Sequence, residues 1–338
     1  MNISDITYRV VAVTDSQQLD LTGVTHGLTW AEQAKELSAK INLKLAITDD
    51  LADKIQIGVL IIIYAGEDEF VEVIRGNVSK MQLTETNGEF ALSIECADEC
   101  HTLRHDQDDL YFTADHTSTA LLEKILGDTP HRIEIKDGTH SKKIYRQKYR
   151  ADMIADVLKD LKEKTGNDYF IRAKEGVVEI IPRGTNETIY HFDIDQNITK
   201  ATQSLDASKA VGKVKILGKE KVEGHPSVES VVEGDSTFGN RQIIYRRNDK
   251  ETLAEAEAAA KKLLSENGIK FETKLETSDV PTLRKGDKIR IRSSVGEGYF
   301  FVKSIRHDAL KQTMSLELDA EKGSYDIAQT SELTDARI

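Results

Sequence analysis

A chain of 338 residues, 39% hydrophobic and 31% charged, has room for two or three domains and enough apolar content to fold. Its 58 acidic and 46 basic residues leave a net charge of -12, which excludes a general nucleic-acid binder because such a surface repels phosphate. The longest apolar run, Ile57 to Ala65, is strand-sized, the opening MNISDITYRV lacks a basic start before an apolar segment, and the two cysteines, Cys96 and Cys100, make no disulfide framework, so synthesis in a cytoplasm without membrane insertion is expected.

Strand signals dominate the first hundred residues. Leu37, Ala39, Ile41, Leu43, Leu45 and Ile47 alternate, which predicts a strand although AEQAKEL alone has helical propensity. IQIGVLIIIYAGEDEFVEVIRGNV reads as two strands joined by an acidic turn at Gly66 to Glu69, and SKMQLTETNGEFALSIEC as a hairpin turning at Asn87-Gly88. This predicts a small antiparallel barrel or sandwich, taken as a first β-barrel over residues 1–106. STALLEKILG is then a short helix. ADMIADVLKDLKEKTG is a longer one, with Ile154, Val157, Leu158 and Leu161 in one stripe and Gly166 as its stop. DYFIRAKEGVVEII follows as a hairpin turning at Glu175-Gly176, so residues 107–200 read as an α/β module.

Strands return in VGKVKILGKE, RQIIYRR, KFETKLET, KIRIRS, GYFFVKSIRHD and TMSLELDA. One helix, 249–267, interrupts them, with a capping box at Asn248 and Glu251 and an exit at Asn267-Gly268. Residues 201–325 thus form a second barrel, and 326–338 a loose tail. The expected class is mainly β: two similar antiparallel β-barrels, an intervening α/β module and one helix inserted in the second barrel.

The two barrels echo one another. Gly58, Ile61 and Ile63 match Gly286, Ile289 and Ile291; Phe70, Ile74 and Arg75 match Phe301, Ile305 and Arg306. FALSIECADE then matches MSLELDAEK. We read this as an internal duplication that places Gly58 over Gly286 and Phe70 over Phe301.

Candidate chemistry is sparse. Cys96, Cys100, His101 and His105 have the spacing C-x3-C-H-x3-H. On one helix, His101 and His105 would point about 140° and 180° away from Cys96, so the four would not converge on a zinc ion. A strand followed by a turn would need a special loop, and no glycine shapes one. The alternative is a core cysteine ending the strand Phe90, Leu92, Ile94, Cys96, then a second small residue and solvated histidines. Asp193, Asp195 and Asn197 begin like a calcium loop, but Ile198 replaces the turn glycine and Ser204 the bidentate glutamate. Gly212 and Gly218-Lys219 do not make a phosphate loop, since their spacing is wrong and Glu220 replaces the magnesium-binding hydroxyl. Gly296 to Gly298 reads as a turn between strands. Asp108-Asp109 are neighbouring acids of a kind expected in so acidic a chain. No catalytic, cofactor-binding or metal-binding residue is assigned.

The order of pieces carries a resemblance: VTHGLTW at Val24 to Trp30 before an alternating strand, DLYFTADHTSTALLEKIL, DMIADVLKDLKEKTGNDYFIR, and LRKGDKIRI near the end. In this order the chain resembles the XkdQ-like baseplate hub proteins of contractile phage tails, defective prophages and phage-tail-like bacteriocins. More distantly it is similar to the tube domains of type VI secretion spikes. The resemblance implies a non-enzymatic homotrimer whose six barrels adapt a sixfold tail tube to a threefold spike, with the 107–200 module outside the ring. It implies as partners a tail tube or tube-initiator protein, a central spike protein, and a baseplate wedge or LysM-type tail protein, with DNA only as passing cargo and no cofactor. It implies a location in the particle baseplate. The acidic surface suits a channel that repels phosphate, and equally suits solubility. The alternatives are a glycan-binding or cell-wall-degrading tail protein and, third, a cytoplasmic metal protein.

Overall fold

The computed structural model describes residues 6–15, 17–46, 51, 53–86, 89–113, 115–140, 143–222, 225–234, 241–321 and 325–326. The chain begins with β1 (Thr7–Val13), β2 (Gln18–Asp20), β3 (Thr25–Glu32), β4 (Lys40–Ala46), β5 (Leu60–Gly66), β6 (Val71–Thr86) and β7 (Glu89–Ala97). A mixed stretch follows: α1 (Cys100–His105), β8 (Gln107–Phe112), β9 (His116–Thr117), α2 (Ser118–Leu126), β10 (His131–Ile133), β11 (Thr139–His140), β12 (Lys143–Tyr149), α3 (Arg150–Thr165), β13 (Tyr169–Lys174), β14 (Val177–Pro182) and β15 (Tyr190–Asp193). Next come β16 (Ile198–Asp206), β17 (Lys213–Val222), β18 (His225–Glu233), β19 (Gln242–Arg246), α4 (Leu253–Glu266) and β20 (Lys270–Ser278). The last strands are β21 (Lys288–Ser293), β22 (Gly296–Asp308), β23 (Thr313–Ala320) and β24 (Tyr325–Asp326). The fold is mainly β, as the alternating pattern predicts.

The chain divides into two compact units. The larger holds residues up to Ala201 and resumes at Lys274; the smaller includes Thr202–Thr273. In the larger unit one sheet runs β20-β23-β22-β3-β4-β7-β6-β5-β1-β2, with β21 beside β22 and β15 beside β21. Two cores line this sheet. Trp30, Ile41, Leu43, Leu45, Ile61, Ile63 and Cys96 belong to one; Phe192, Ile289, Ile291, Phe300 and Leu316 belong to the other. Among the described strands the pairings draw one open path through both cores. The link is β3, whose Thr29–Glu32 pair with Asp308–Ile305 of β22. The smaller unit has its own sheet, β18-β17-β19, with α4 packed on it through Ala256 and Ala260.

The backbone of the echo can be read residue by residue. Gly58 and Gly286 both have φ of +91°. Gly58 N–H donates to the Val78 carbonyl, and Val78 N–H to Val59; Gly286 N–H donates to Val302, and Val302 N–H to Asp287. Ile61 pairs with Gly76, and Ile289 with Phe300. The ladder then slips by one residue between Val78 and Lys80, and at the same place between Val302 and Ser304. Val78 faces Cys96 as Val302 faces Leu318. A salt bridge marks each bulge, from the residue after it in the first half, Lys80 to Glu95, and from the bulged residue itself in the second, Lys303 to Glu317.

This register corrects part of the sequence match. Gly58, Ile61 and Ile63 do correspond to Gly286, Ile289 and Ile291. Phe301, however, takes the place of Asn77, not Phe70, and Ile305 and Arg306 take those of Met81 and Gln82, not Ile74 and Arg75. The first hairpin is longer: it pairs out to Ala65 and Val71 across a bulge, whereas the second closes at Ser293 and Gly296. Gly296 and Gly298 are accordingly inside β22 and not in the turn.

Other boundaries shift. The inserted helix starts at Leu253, because the capping box is Thr252 with Glu255 instead of Asn248 with Glu251. The second core of the mixed stretch starts at Cys100 and includes Leu103, ahead of 107. VGKVKILGKE and RQIIYRR pair with each other in the small sheet. Ile47 and the Asn87-Gly88 turn lie outside the described residues. By contrast, Gly166 ends α3 in the left-handed conformation, and Glu175 and Gly176 both have positive φ in the β13–β14 turn, as expected.

The two glycines separate conformational strain from space. A Cβ on Gly58 meets nothing within 4 Å, while one on Gly286 would lie 2.2 Å from the Phe170 ring. Gly58→Ala is expected to cost about 1–2 kcal/mol from backbone strain alone. Gly286→Ala should cost about 1–3 kcal/mol more, because the ring must be displaced. Urea unfolding of both variants measures the difference.

Candidate functional site

The LRKGDKIRI stretch lies at the junction of both halves of the sheet and the mixed stretch. Arg284 and Glu32 are both buried. The guanidinium grips the carboxylate with two hydrogen bonds, Nε to Oε2 at 2.8 Å and Nη2 to Oε1 at 2.9 Å. Nη2 also donates to the Ala173 carbonyl at 2.9 Å, and Nη1 to Val73 at 3.4 Å. One side chain thereby touches β3, β6 and β13. Lys285 adds its N–H to Glu32 and its ammonium to the Glu36 carbonyl.

The charges continue in alternation. Asp287 accepts from the Arg284 N–H and from Arg172 Nη1, at 2.9 and 3.0 Å. Arg172 bonds Glu179, and Glu179 pairs with Arg132. Glu179 sits among the apolar residues of β14, and Arg172 faces it across the ladder. Burial alone would raise the Glu32 carboxyl; the charge and hydrogen bonds of Arg284, with help from Lys285, override burial and hold it down at about 2. Burial raises Asp287, against the opposing pull of Arg172.

Beside this junction lies an open groove of about 540 Å³, lined among others by Leu37, Arg104, Leu158, Arg183 and Lys303. Its rim is ion-paired, Arg183 to Asp168 and Asp319, Lys303 to Glu317. A second buried network lies where β3 meets β22. The His307 ring stacks on Trp30 at 4.4 Å, its Nδ1 lies 2.6 Å from Asp279, and Asp279 also accepts from the Tyr8 hydroxyl.

The residues with candidate chemistry separate. Cys96 points into the first core and Cys100 into that of the mixed stretch. Burial pushes the Cys96 thiol up to about 12, and burial with the nearby Asp98 raises Cys100 as well. His101 and His105 lie on α1 with rings 4.6 Å apart. No cluster of three metal-ligating side chains occurs among the described residues. Asp193 and Asp195 both pair with Arg292, and Asp193 N–H bonds Asn197, so these acids are neutralised in a turn. Asp108 bonds Arg150 and Asp109 the Gln147 N–H, in different directions. Gly212 precedes β17 and Gly218 lies within it, a strand where a phosphate loop would need a turn.

Sequence reasoning missed one constellation. Ser118 Oγ lies 2.6 Å from His140 Nε2, and His140 Nδ1 lies 3.6 Å from Asp160. Its chemistry is wrong for a nucleophile. Lys164 approaches the same Nδ1 at 3.4 Å, so the ring stands between a cation and a carboxylate. Ser118 in turn donates to the Gly138 carbonyl and is fully buried. The group fastens the start of α2. The charge junction was also missed, although Glu179 within VVEIIP, a carboxylate in an apolar strand, was a usable signal.

With this geometry in hand, comparison with known proteins is informative. A family model described as YQBQ-like matches residues 28–319, most of the chain. The chain belongs to the YQBQ-like family. No curated protein matches this YQBQ-like chain by sequence. Solved structures share its fold. The 43 kDa tail protein of prophage MuSo2 from Shewanella oneidensis has a TM-score of 0.69 at 12% identity, over 93% of this chain and 98% of that one. A tail protein from Neisseria meningitidis gives 0.66 at 11%, over 93% and 97%. The Escherichia coli c3393 protein, a type VI secretion component described as similar to T4 tail proteins gp27 and gp5, gives 0.50 at 9%, over 89% and 76%. At these identities the likeness is one of fold. Among the described residues of the YQBQ-like chain, no helix is long and apolar enough to cross a membrane.

Arg284→Ala is expected to destabilise by about 3–5 kcal/mol, because it leaves Glu32 buried and unpaired, while Arg284→Met with Glu32→Gln should cost much less. Acidification separates two carboxyls. Asp98 is raised to about 6 by burial, so its proton-holding folded form gains stability as pH falls from about 6 towards 4. Glu32 is depressed, so its contribution, about 3 kcal/mol, is present above about pH 4.5 and lost as pH falls towards 2. Denaturation across this range should show a shallow gain and then a loss, with the loss smaller in the double variant, where depressed carboxyls such as Asp160 and Glu317 still contribute to it.

Proposed function

We propose that this chain is a structural baseplate hub protein of a contractile phage tail or phage-tail-like particle. The observation that carries the reading is the repeated backbone: one chain holds two copies of the same glycine turn, hairpin and bulge. Family membership and the fold shared with solved tail proteins support it. Two similar half-units per chain let three chains present six similar positions, which is what a sixfold tube above a threefold spike requires. The halves built on the Gly58 and Gly286 hairpins are the two tube domains, within 1–106 and 201–325. The module within 107–200 sits outside the ring and meets wedge or LysM-type tail proteins. The tube or tube initiator stacks on one face and the spike on the other, with DNA only as passing cargo. The protein acts in the baseplate after synthesis in a bacterial cytoplasm.

The role is non-enzymatic. The Ser118-His140-Asp160 grouping is closed to a substrate, because Ser118 and His140 are both fully buried. Purified protein is therefore expected to leave a cell-wall zymogram uncleared; clearing would favour a lytic tail protein. Quantitative peptide mass spectrometry on assembled particles should find three copies, half the number in one ring of the tube. Two, four or six copies would overturn the hub reading.

A further inference from the structure

In the smaller unit, α4 covers one face of the three-stranded sheet. Val214 and Ile216 of β17, Val232 of β18, and Ile243 and Tyr245 of β19 pack with Ala256 and Ala260 of the helix. Ser230 donates to Glu257 on the same helix at 2.8 Å. Strand alternation sends the residues between these to the opposite face. The ladder sets them in three rows across β18, β17 and β19. The first is Glu233, Lys213 and Gln242, and the second Val231, Lys215 and Ile244; past a bulge at Glu229 comes Val228, Leu217 and Arg246.

The face of a sheet turned away from its core is normally polar. Here Val228, Val231 and Ile244 are 54%, 42% and 56% exposed. Lys215 stands half-buried between Val231 and Ile244, and its alkyl stem joins them into one apolar strip. Lys213, Lys215 and Arg246 have no ion-pair partner among the described residues, and Glu233 is the one acid in the three rows. In a chain of net charge -12, this face therefore carries an excess of cations around an exposed apolar centre. Apolar patches rimmed in this way mark protein contacts.

We infer that this face binds an acidic amphipathic helix of another protein. Charge selects the acidity: carboxylates on the helix would meet Lys213, Lys215 and Arg246, while its apolar side chains cover Val228, Val231 and Ile244. Size selects the helix. Three strands and three rows span about 10 by 14 Å. That is too small for a globular partner, which covers about 800 Å² per side, but it equals the width of one helix, about 10 Å. α4 already fills the opposite face of the same three strands. With a second helix the sheet becomes the middle of three layers, buried on both sides. The partner is another component of the particle, so the inference rests on the hub reading.

Two measurements on assembled particles test it. A carbodiimide joins an amine to a carboxylate in contact with it, and should link Lys213 or Lys215 to an Asp or Glu in an acidic helical segment of a different protein. Val231→Cys should react with a maleimide in the free full-length protein, whose own cysteines are buried, and be protected in particles. Reversing Lys213, Lys215 and Arg246 to Glu leaves the α4 side untouched; urea unfolding checks that this variant folds. The folded variant should lose the protection or stay out of particles. Links only to a second copy or to the chain's own residues 327–338, equal labelling in particles and free protein, or protection that survives the reversal would each overturn the inference. The failures separate. Three copies per particle with this face open leave the hub reading standing, whereas particles without the chain refute both.

Discussion

The buried pair of Arg284 and Glu32 is the constraint on which the larger unit depends. Removing two charges from water costs several kcal/mol per ion, and the cost is recovered only with good geometry and every remaining donor satisfied. Here the planar guanidinium meets the carboxylate edge to edge and gives two of its other three hydrogens to carbonyls. A lysine could not make this fork. The pair fixes β3 against the loop before β21, and the same side chain reaches β6 and β13. The chain of charges through Asp287, Arg172 and Glu179 extends that fixation to the mixed stretch. Gly286 sits inside this network with the Phe170 ring against it, so the turn that echoes Gly58 is also the turn that locks the junction.

The comparison of the two turns suggests how one backbone serves two purposes. Gly58 is followed by Val59, an apolar residue packed on the first core; Gly286 is followed by Asp287, which belongs to the charge network. The hydrogen-bonded skeleton is shared, and the side chains differ where the second copy must hold the α/β module. In the proposed ring this combination is useful. Similar skeletons offer the tube six similar seats, and unlike side chains let only every second seat carry a module.

Periodicity made much of this fold legible. Ile41, Leu43 and Leu45 specify β4 by a period of two, and Gly166 and Glu175-Gly176 announce a helix end and a turn through backbone chemistry that is local. The match of Phe70 to Phe301 failed because alternation repeats every two residues, so similar strings align in several registers, and only the hairpin hydrogen bonds choose among them. The start of α4 was misplaced because Asn248 and Glu251 do make a turn with the same hydrogen bond, one turn too early. The charge junction was unreadable in detail for another reason. Its members, Glu32, Arg172 and Arg284, are far apart in sequence, and their meeting is decided by tertiary packing. Two β-barrels were expected from the alternating strands and the internal echo; among the described strands the pairings run from one core to the other through β3.

Symmetry is the property that most directly distinguishes a hub from any other mainly β tail protein. Electron cryomicroscopy of an assembled tail particle, averaged down its axis without imposed symmetry, tests it. The account predicts a ring of six similar densities from three chains, each chain contributing one Gly58 half and one Gly286 half, with α/β modules projecting outward at three positions. A ring whose subunits touch only through the 107–200 module, or one in which the two halves occupy unrelated positions, would contradict it.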